Sequence, residues 1–286
     1  MFVIIGYIVI VGSVLGGYAL AGGHLAALIQ PTELLTIAGA AGGAFFVANS
    51  PKVVKATLAA VPKVFKGSHI NRAMYMDLLA MMYEILGKIR KEGLMSVEGD
   101  IENPDASPIF SKYPKIVGDH HLMEFITDYL RMMVGGNLNA FEIENLMDNE
   151  IETHHEEAHI PIHAIARVAD GTPAFGIVSA VMGMVHTMGS VGLPPAELGE
   201  LIGAALVGTF LGILIAYGFV APLGNALEGK LQEETKVYQC MKVVLLASMN
   251  GYAPQVAAEF GRKVLFSKER PSFSELEEDL KSRKGK

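Results

Sequence analysis

Lysine and arginine are absent from two long stretches of this 286-residue chain, 1–51 and 171–229. All 23 of them fall elsewhere: 12 between Lys52 and Arg167, and 11 between Lys230 and Lys286. The two silent stretches are apolar and rich in glycine, the pattern of membrane-spanning segments. Charged residues make up only 19% of the chain, against roughly 25% in ordinary soluble chains. A soluble enzyme, a secreted disulfide scaffold and a nucleic-acid binder all fit this pattern poorly. The net charge of −7 weighs further against nucleic acid, because phosphate backbones call for a basic surface. The single cysteine, Cys240, has no intrachain partner for a disulfide.

Four spans follow. Phe2 to Gly22 carries no charge and is long enough to cross a hydrocarbon core of about 30 Å. A second span covers Leu34 to Asn49, with Thr32 and Ser50 at its ends; a third runs from Pro173 to Val191 and a fourth from Leu201 to Pro222. The first is not read as a cleaved signal, since it lacks a basic leader and a second span follows at once. The connections at 23–32 and 193–200 hold no lysine or arginine. The positive-inside rule therefore puts both termini and both charged blocks in the cytoplasm. The expectation is an all-α integral membrane protein: four transmembrane helices with a large helical cytoplasmic domain. Its parts are a hairpin at 1–50, a cytoplasmic domain at 51–170, a second hairpin at 171–225 and a C-terminal helical region at 226–286.

Small residues recur at four-residue spacing: Gly12 and Gly16, Gly39 and Gly43, then Ala204, Gly208, Gly212 and Ala216. Such seams let helix backbones approach closely in lipid. They serve packing within one subunit or against another chain, and a mixture is expected here. Glu33, Glu197 and Glu200 fall near the outer ends, so no acidic or basic side chain is expected deep in a span. His186 and Thr187 are the most polar residues of the third span, and Thr209 of the fourth. An ion pathway calls for an intramembrane carboxylate. Either another chain supplies it, or the spans are an anchor.

Pro173 reads as a helix-start proline, where the missing N–H costs little, or as a mechanical element. Pro222 removes a backbone hydrogen bond if its helix continues to Leu227, which predicts a kink. In the charged blocks, Met74, Leu78, Met81, Met82, Ile85 and Ile89 fall at helical spacing within 69–92. Gly93 suits a C-cap, and Ser96 the start of another turn. A loop with Pro104, Pro108 and Pro114 follows. Helices are expected at 119–134 and 140–159, then at 226–249, with the third span extending back through Ile151 to Ala169. Ser272 and Glu275 resemble a capping box for a short acidic helix, and Lys281 to Lys286 should be frayed.

His155-Glu-Glu-Ala-His159 fits the pattern of zinc proteases, and His163 adds a histidine four residues on. Pro161 should interrupt the helix between the last two, and the surroundings are a charged run rather than a cleft. The match is judged fortuitous, with no catalytic residue and no metal site expected.

Several ordered motifs resemble the MotA family, the larger subunit of bacterial flagellar stators. They include Ala73-Met-Tyr-Met-Asp-Leu-Leu79, Asp100-Ile-Glu-Asn-Pro104, Phe141-Glu-Ile-Glu144, Pro173-Ala-Phe-Gly-Ile-Val178 and Val207-Gly-Thr-Phe-Leu-Gly212. Asn250-Gly-Tyr-Ala-Pro254 and Glu269-Arg-Pro-Ser-Phe273 continue the series. The resemblance implies a multi-pass protein of the bacterial inner membrane, with five copies around a MotB dimer whose aspartate supplies the missing carboxylate. It implies torque on the rotor protein FliG, with Arg90 and Glu98 matching the rotor-facing charges. Pro173 and Pro222 match the prolines that couple ion binding to movement. The three histidines are not part of the family pattern. The ExbB/TolQ group resembles the last two spans but has three in all; a non-conducting helical scaffold is the remaining alternative. Sodium-driven relatives carry threonines where this chain has Ala180 and Gly208. The expected ion is therefore the proton rather than sodium, with Thr209 as a remaining hydroxyl and no cofactor.

Overall fold

The computed structural model describes residues 2–136 and 139–283, and every regular element among them is helical. In chain order the helices are α1 (Phe2–Leu20), α2 (Pro31–Ala48), α3 (Pro51–Phe65), α4 (Arg72–Glu92), α5 (Glu98–Glu102) and α6 (Pro114–Val117). They continue with α7 (His120–Gly135), α8 (Ala140–Met188), α9 (Pro195–Ile213), α10 (Ala221–Met249), α11 (Pro254–Val264) and α12 (Phe273–Arg283). A π-helical turn, Leu214–Val220, joins α9 to α10. Four helical stretches are long and apolar enough to cross a membrane: Phe2–Leu20, Leu25–Ala48, Ala140–Met188 and Pro195–Met249.

The four spans are thus present, and the last two continue into much longer helices, as expected for the third through Ile151 to Ala169. Pro161 does not interrupt α8, and Pro173 is no helix start: both stand inside a 49-residue helix. The expected loop after Asn103 holds short helical turns, and α3 and α11 had no counterpart in the sequence reading. Lys281 to Arg283 are helical rather than frayed, and 284–286 lie outside the described residues.

The chain forms two compact units. The first comprises 1–67 with 157–230, the second 68–156 with 231–286. The unit that holds the spans therefore also takes in α3, 157–170 and 226–230, beyond the sequence boundaries at 50, 170 and 225. The first unit is held partly by Lys230, whose ammonium bonds the carbonyls of Lys63 and Lys66 at the C-terminal end of α3. A cation there complements the negative end of the helix dipole.

The second unit packs around α4. Asn71 caps it by accepting from the Met74 N–H at 3.0 Å. Gly93 ends it at φ 88°, a conformation that favours glycine. The expected apolar positions Met74, Leu78, Met81, Met82 and Ile85 are fully buried against Phe110, Ile126, Leu130, Val244 and Leu245. Ser96 does not cap α5; it lies in a 3-10 turn and its hydroxyl donates to the Gly93 carbonyl. The capping box of α12 is present: Ser272 N–H donates to Glu275 at 2.7 Å, and Glu275 N–H donates to Ser272 Oγ at 3.2 Å. Donation from Ser272 N–H, aided by its hydroxyl contact and by Arg72, holds the Glu275 carboxyl below its ordinary value. Its contribution is present above the ordinary carboxylate range and is lost as pH falls through the lowered value.

Helix α11 lies against α4 and α10 at Gly261, where a Cβ would meet Val244, Leu79 Cδ2 at 2.8 Å and Cys240 Sγ at 3.1 Å. Burial pushes the Cys240 thiol up to about 12, so its reactive thiolate is scarce at neutral pH. Gly261→Ala is expected to destabilise the purified chain by about 1–3 kcal/mol through overpacking. The thermal midpoint should fall, and alkylation of Cys240, negligible in the native chain, should accelerate. An unchanged midpoint and an unchanged alkylation rate would contradict this packing.

Candidate functional site

Helices α8 and α9 approach backbone to backbone. A Cβ on Gly176 would lie 2.9 Å from both the Gly208 carbonyl and Gly212 Cα, and one on Gly212 would lie 2.7 Å from Gly176 Cα. Higher up, a Cβ on Gly183 would lie 2.8 Å from Ala205 Cβ. Gly208 and Gly212 therefore serve packing within the chain. Gly12, Gly16, Gly39 and Gly43 meet nothing within 4 Å, so the seams of α1 and α2 stay open in the single chain.

Glu33 departs from its expected place at an outer end. It is the only acidic residue in 1–51, and it sits in the first turn of α2, where the helix dipole favours a carboxylate. Its Oε2 accepts a hydrogen bond from the Ser179 hydroxyl. Ser179 lies six residues after Pro173 and nine before the end of α8 at Met188. The carboxylate also borders Gly208 and Gly183: Cβ atoms there would lie 3.0 Å from Oε2 and 3.7 Å from Oε1. A carboxylate of this chain thus reaches the midpart of the α8–α9 hairpin. Sequence distance from the span ends hid this, because α2 begins beside the middle of its neighbours. The available signal was the isolation of Glu33 in an uncharged stretch.

Ala180 and Gly208 adjoin the same spot. A Cβ on Gly208 would lie 3.1 Å from the Ala180 N and 3.2 Å from Ser179 Cβ. Most hydroxyls of the hairpin are already committed. Thr172 donates to the Val168 carbonyl at 2.6 Å, Thr187 to Gly183 at 2.9 Å, and Ser179 to Glu33. The half-buried Thr209 hydroxyl enters no hydrogen bond among the described residues. His186 is exposed and Thr187 buried.

Pro222 is the second residue after the π turn, following Ala221. Proline lacks the N–H of an ordinary turn, and its ring clashes with the carbonyl four residues earlier. Widening the preceding turn relieves that clash. The structure shows a change in helical register before Pro222. The Tyr7 hydroxyl of α1 donates to the Phe219 carbonyl inside this turn at 2.9 Å. The Tyr7 contact was not apparent from the sequence, since it joins residues 212 positions apart in the chain. Gly224, just beyond, packs on Ile165 of α8, with a Cβ distance of 3.5 Å.

Arg90 and Glu98 lie in the second unit, and both are exposed. Neither is ion-paired among the described residues, whereas Lys88 is held by buried Asp100 at 2.7 Å and Lys112 by Glu84 at 2.6 Å. Arg90 stands at a cavity of about 540 Å³, whose lining also includes Lys88, Lys91, Tyr83 and Glu84. The structure leaves these two charges available for an outside partner.

His155 Nδ1 lies 3.1 Å from the Thr235 hydroxyl. His159 faces Glu228 at 3.8 Å, and its ring lies 5.4 Å from that of His163. No group of three metal-ligating side chains forms among the described residues.

Comparison with known proteins accounts for this arrangement. Residues 4–93 match the family Motility protein A N-terminal, and 118–240 match the MotA/TolQ/ExbB proton channel family. The first match covers the hairpin that the ExbB/TolQ alternative lacks. The chain is 54% identical to Motility protein A of Salmonella typhimurium, over 99% of this chain and 96% of that one. Against Motility protein A of Escherichia coli it is 55% identical with the same coverage. Its fold is similar to a structure of the flagellar MotAB stator complex from Bacillus subtilis, with TM-score 0.74, 26% identity and coverage of 90% and 92%. The chain, with its two membrane hairpins and its packed α8–α9 pair, belongs to the Motility protein A family.

Proposed function

We propose that this chain is the ring-forming subunit of a flagellar stator in the bacterial inner membrane. With a MotB dimer it turns proton flow into torque on FliG. The identity to the Salmonella and Escherichia coli relatives supports the stator role. In this reading five copies surround two MotB helices, with both termini in the cytoplasm. The open glycine seams of α1 and α2 are surfaces for neighbouring helices. The chain works as a motor and channel subunit rather than as an enzyme, and it requires no cofactor.

The observation that carries the choice of ion is the closed space at Gly208. Sodium must exchange its hydration shell for several oxygen ligands. A threonine at 208 would crowd its neighbours, since its Cβ alone would sit 3.0 Å from the Glu33 carboxylate and 3.1 Å from the Ala180 N. Ala180 supplies no hydroxyl. The uncommitted Thr209 hydroxyl suits a transient proton or water relay better than a cation cage. Pro173 and Pro222 couple ion binding to movement; the π turn before Pro222 is helical register that is already displaced. Arg90 and Glu98 act on FliG through long-range charge complementarity, consistent with their lack of an ion pair among the described residues.

Native mass measurement of the purified complex should give five of these chains to two partners, and a stable lone monomer would contradict it. Swimming should persist in sodium-free medium and stop with a protonophore. Speed that tracks sodium and survives the protonophore would reverse the ion assignment. Thr209→Ala should slow rotation without preventing assembly. Exposed charge pairs contribute only about 0–1 kcal/mol each, so neutralising Arg90 or Glu98 alone should reduce torque modestly. Reversing both should reduce it far more, and unchanged motility in the double reversal would remove them from the mechanism.

A further inference from the structure

The α8–α9 hairpin meets a carboxylate of its own chain, and the stator reading above assigns that group no task. The Glu33 side chain occupies a notch beside Gly208, with Gly183 bordering its other oxygen and Ser179 Oγ donating to Oε2. A Cβ at Gly208 would press on that carboxylate. Nothing positive is at hand to balance an ionised form, since 1–51 and 171–229 contain no lysine or arginine. The titratable groups on the neighbouring segments are His24 before the 3-10 turn at Leu25–Leu28, His186 on α8, and Glu197 and Glu200 on α9. None of them pairs with Glu33 among the described residues. An ionisable side chain held in the apolar span region without a counter-ion is costly unless it exchanges a proton.

We propose that Glu33 is a proton-relay residue of the conduction path, holding the proton beside Ala180, Gly208 and Ser179 before it passes to the partner's carboxylate. The proposal rests on the proton-driven stator reading. The steps balance without any change in covalent structure. A hydronium from the outer side gives its proton to a Glu33 carboxylate oxygen and leaves as water. The Ser179 hydroxyl donates to the carboxylate in the ionised state. It turns to accept from the carboxyl O–H in the neutral state, so it stabilises both. The carboxyl then releases its proton, through water or the free Thr209 hydroxyl, to the next carboxylate. Glu33 is left ionised for the next cycle, and no oxidant or other reactant is consumed.

The test uses the full chain with its MotB partner in motile cells and in proteoliposomes. Glu33→Gln keeps an acceptor for Ser179 but cannot carry the proton. A positioned proton acceptor typically contributes ~100-fold or more; because water replaces part of the route, proton flux should fall by about tenfold. The dependence of motor speed on external pH should flatten in the same variant. Glu33→Asp should restore much of the flux and the pH slope. Ser179→Ala should displace the midpoint of the pH profile while leaving assembly intact. A Glu33→Gln complex with the parent's flux and pH profile would overturn the proposal. So would failure of Glu33→Gln to assemble, which would make the carboxylate a structural tie between α2 and α8. The ion reading is checked separately on the parent protein: sodium-dependent speed resistant to protonophore refutes proton drive itself, whatever Glu33 does.

Discussion

The close approach of α8 and α9 at Gly176 and Gly212 governs the membrane half of this protein. In lipid no hydrophobic force draws two helices together, so contact depends on van der Waals packing and on small residues. Here the backbones come close enough that a single methyl group on either glycine would collide with main-chain atoms. That contact sets the register of the hairpin, and the register determines what lies beside Ala180 and Gly208. The notch filled by Glu33 owes its room chiefly to Gly208, where a Cβ would lie 3.0 Å from the carboxylate. Packing and chemistry at this spot have the same cause.

The two prolines show how a helix can carry displaced register without breaking. Pro173 stands inside α8 with no change of helix type around it, while Pro222 follows a π turn. The difference lies in local hydrogen bonding. At Pro222 the preceding turn has widened, and Tyr7 of α1 supplies a donor to one of its carbonyls. Near Pro173 the Thr172 hydroxyl turns back onto the Val168 carbonyl. Each site holds its backbone with side-chain donors, and π turns of this kind are common where helices serve function.

The charged unit follows other rules. Its core around α4 is dense, and Gly261 leaves no room for a methyl group. Some of its surface ions are paired, as with Lys242 and Asp148 at 2.6 Å or Arg283 and Asp77 at 3.0 Å. Arg90 and Glu98 belong to the exposed charges that carry no ion pair among the described residues, as do Lys91, Glu92, Lys115 and Lys268. Unpaired surface charges attract over roughly a Debye length, about 8 Å at physiological ionic strength, which suits a moving partner better than a fixed salt bridge.

The amino-acid sequence by itself determined the four spans, the helical class, the core stripe of α4, the cap at Gly93 and the capping box at Ser272 and Glu275. These depend on neighbours within a few residues or on the bulk preference of a segment for lipid, so local pattern suffices. It also carried the family, through ordered motifs such as Pro173 to Val178. Tertiary structure alone decided the rest. Pro161 read locally as a break and Pro173 as a helix start, but packing along the 49-residue α8 outweighs the loss of single hydrogen bonds. The π turn arises where Pro222 meets a helix already packed on α1 and α8. Glu33 read as an end residue because sequence position measures distance along one helix, and its depth depends on how far α2 is staggered against α8 and α9. That stagger is set by side-chain contacts between segments some 146 residues apart, which no local pattern encodes.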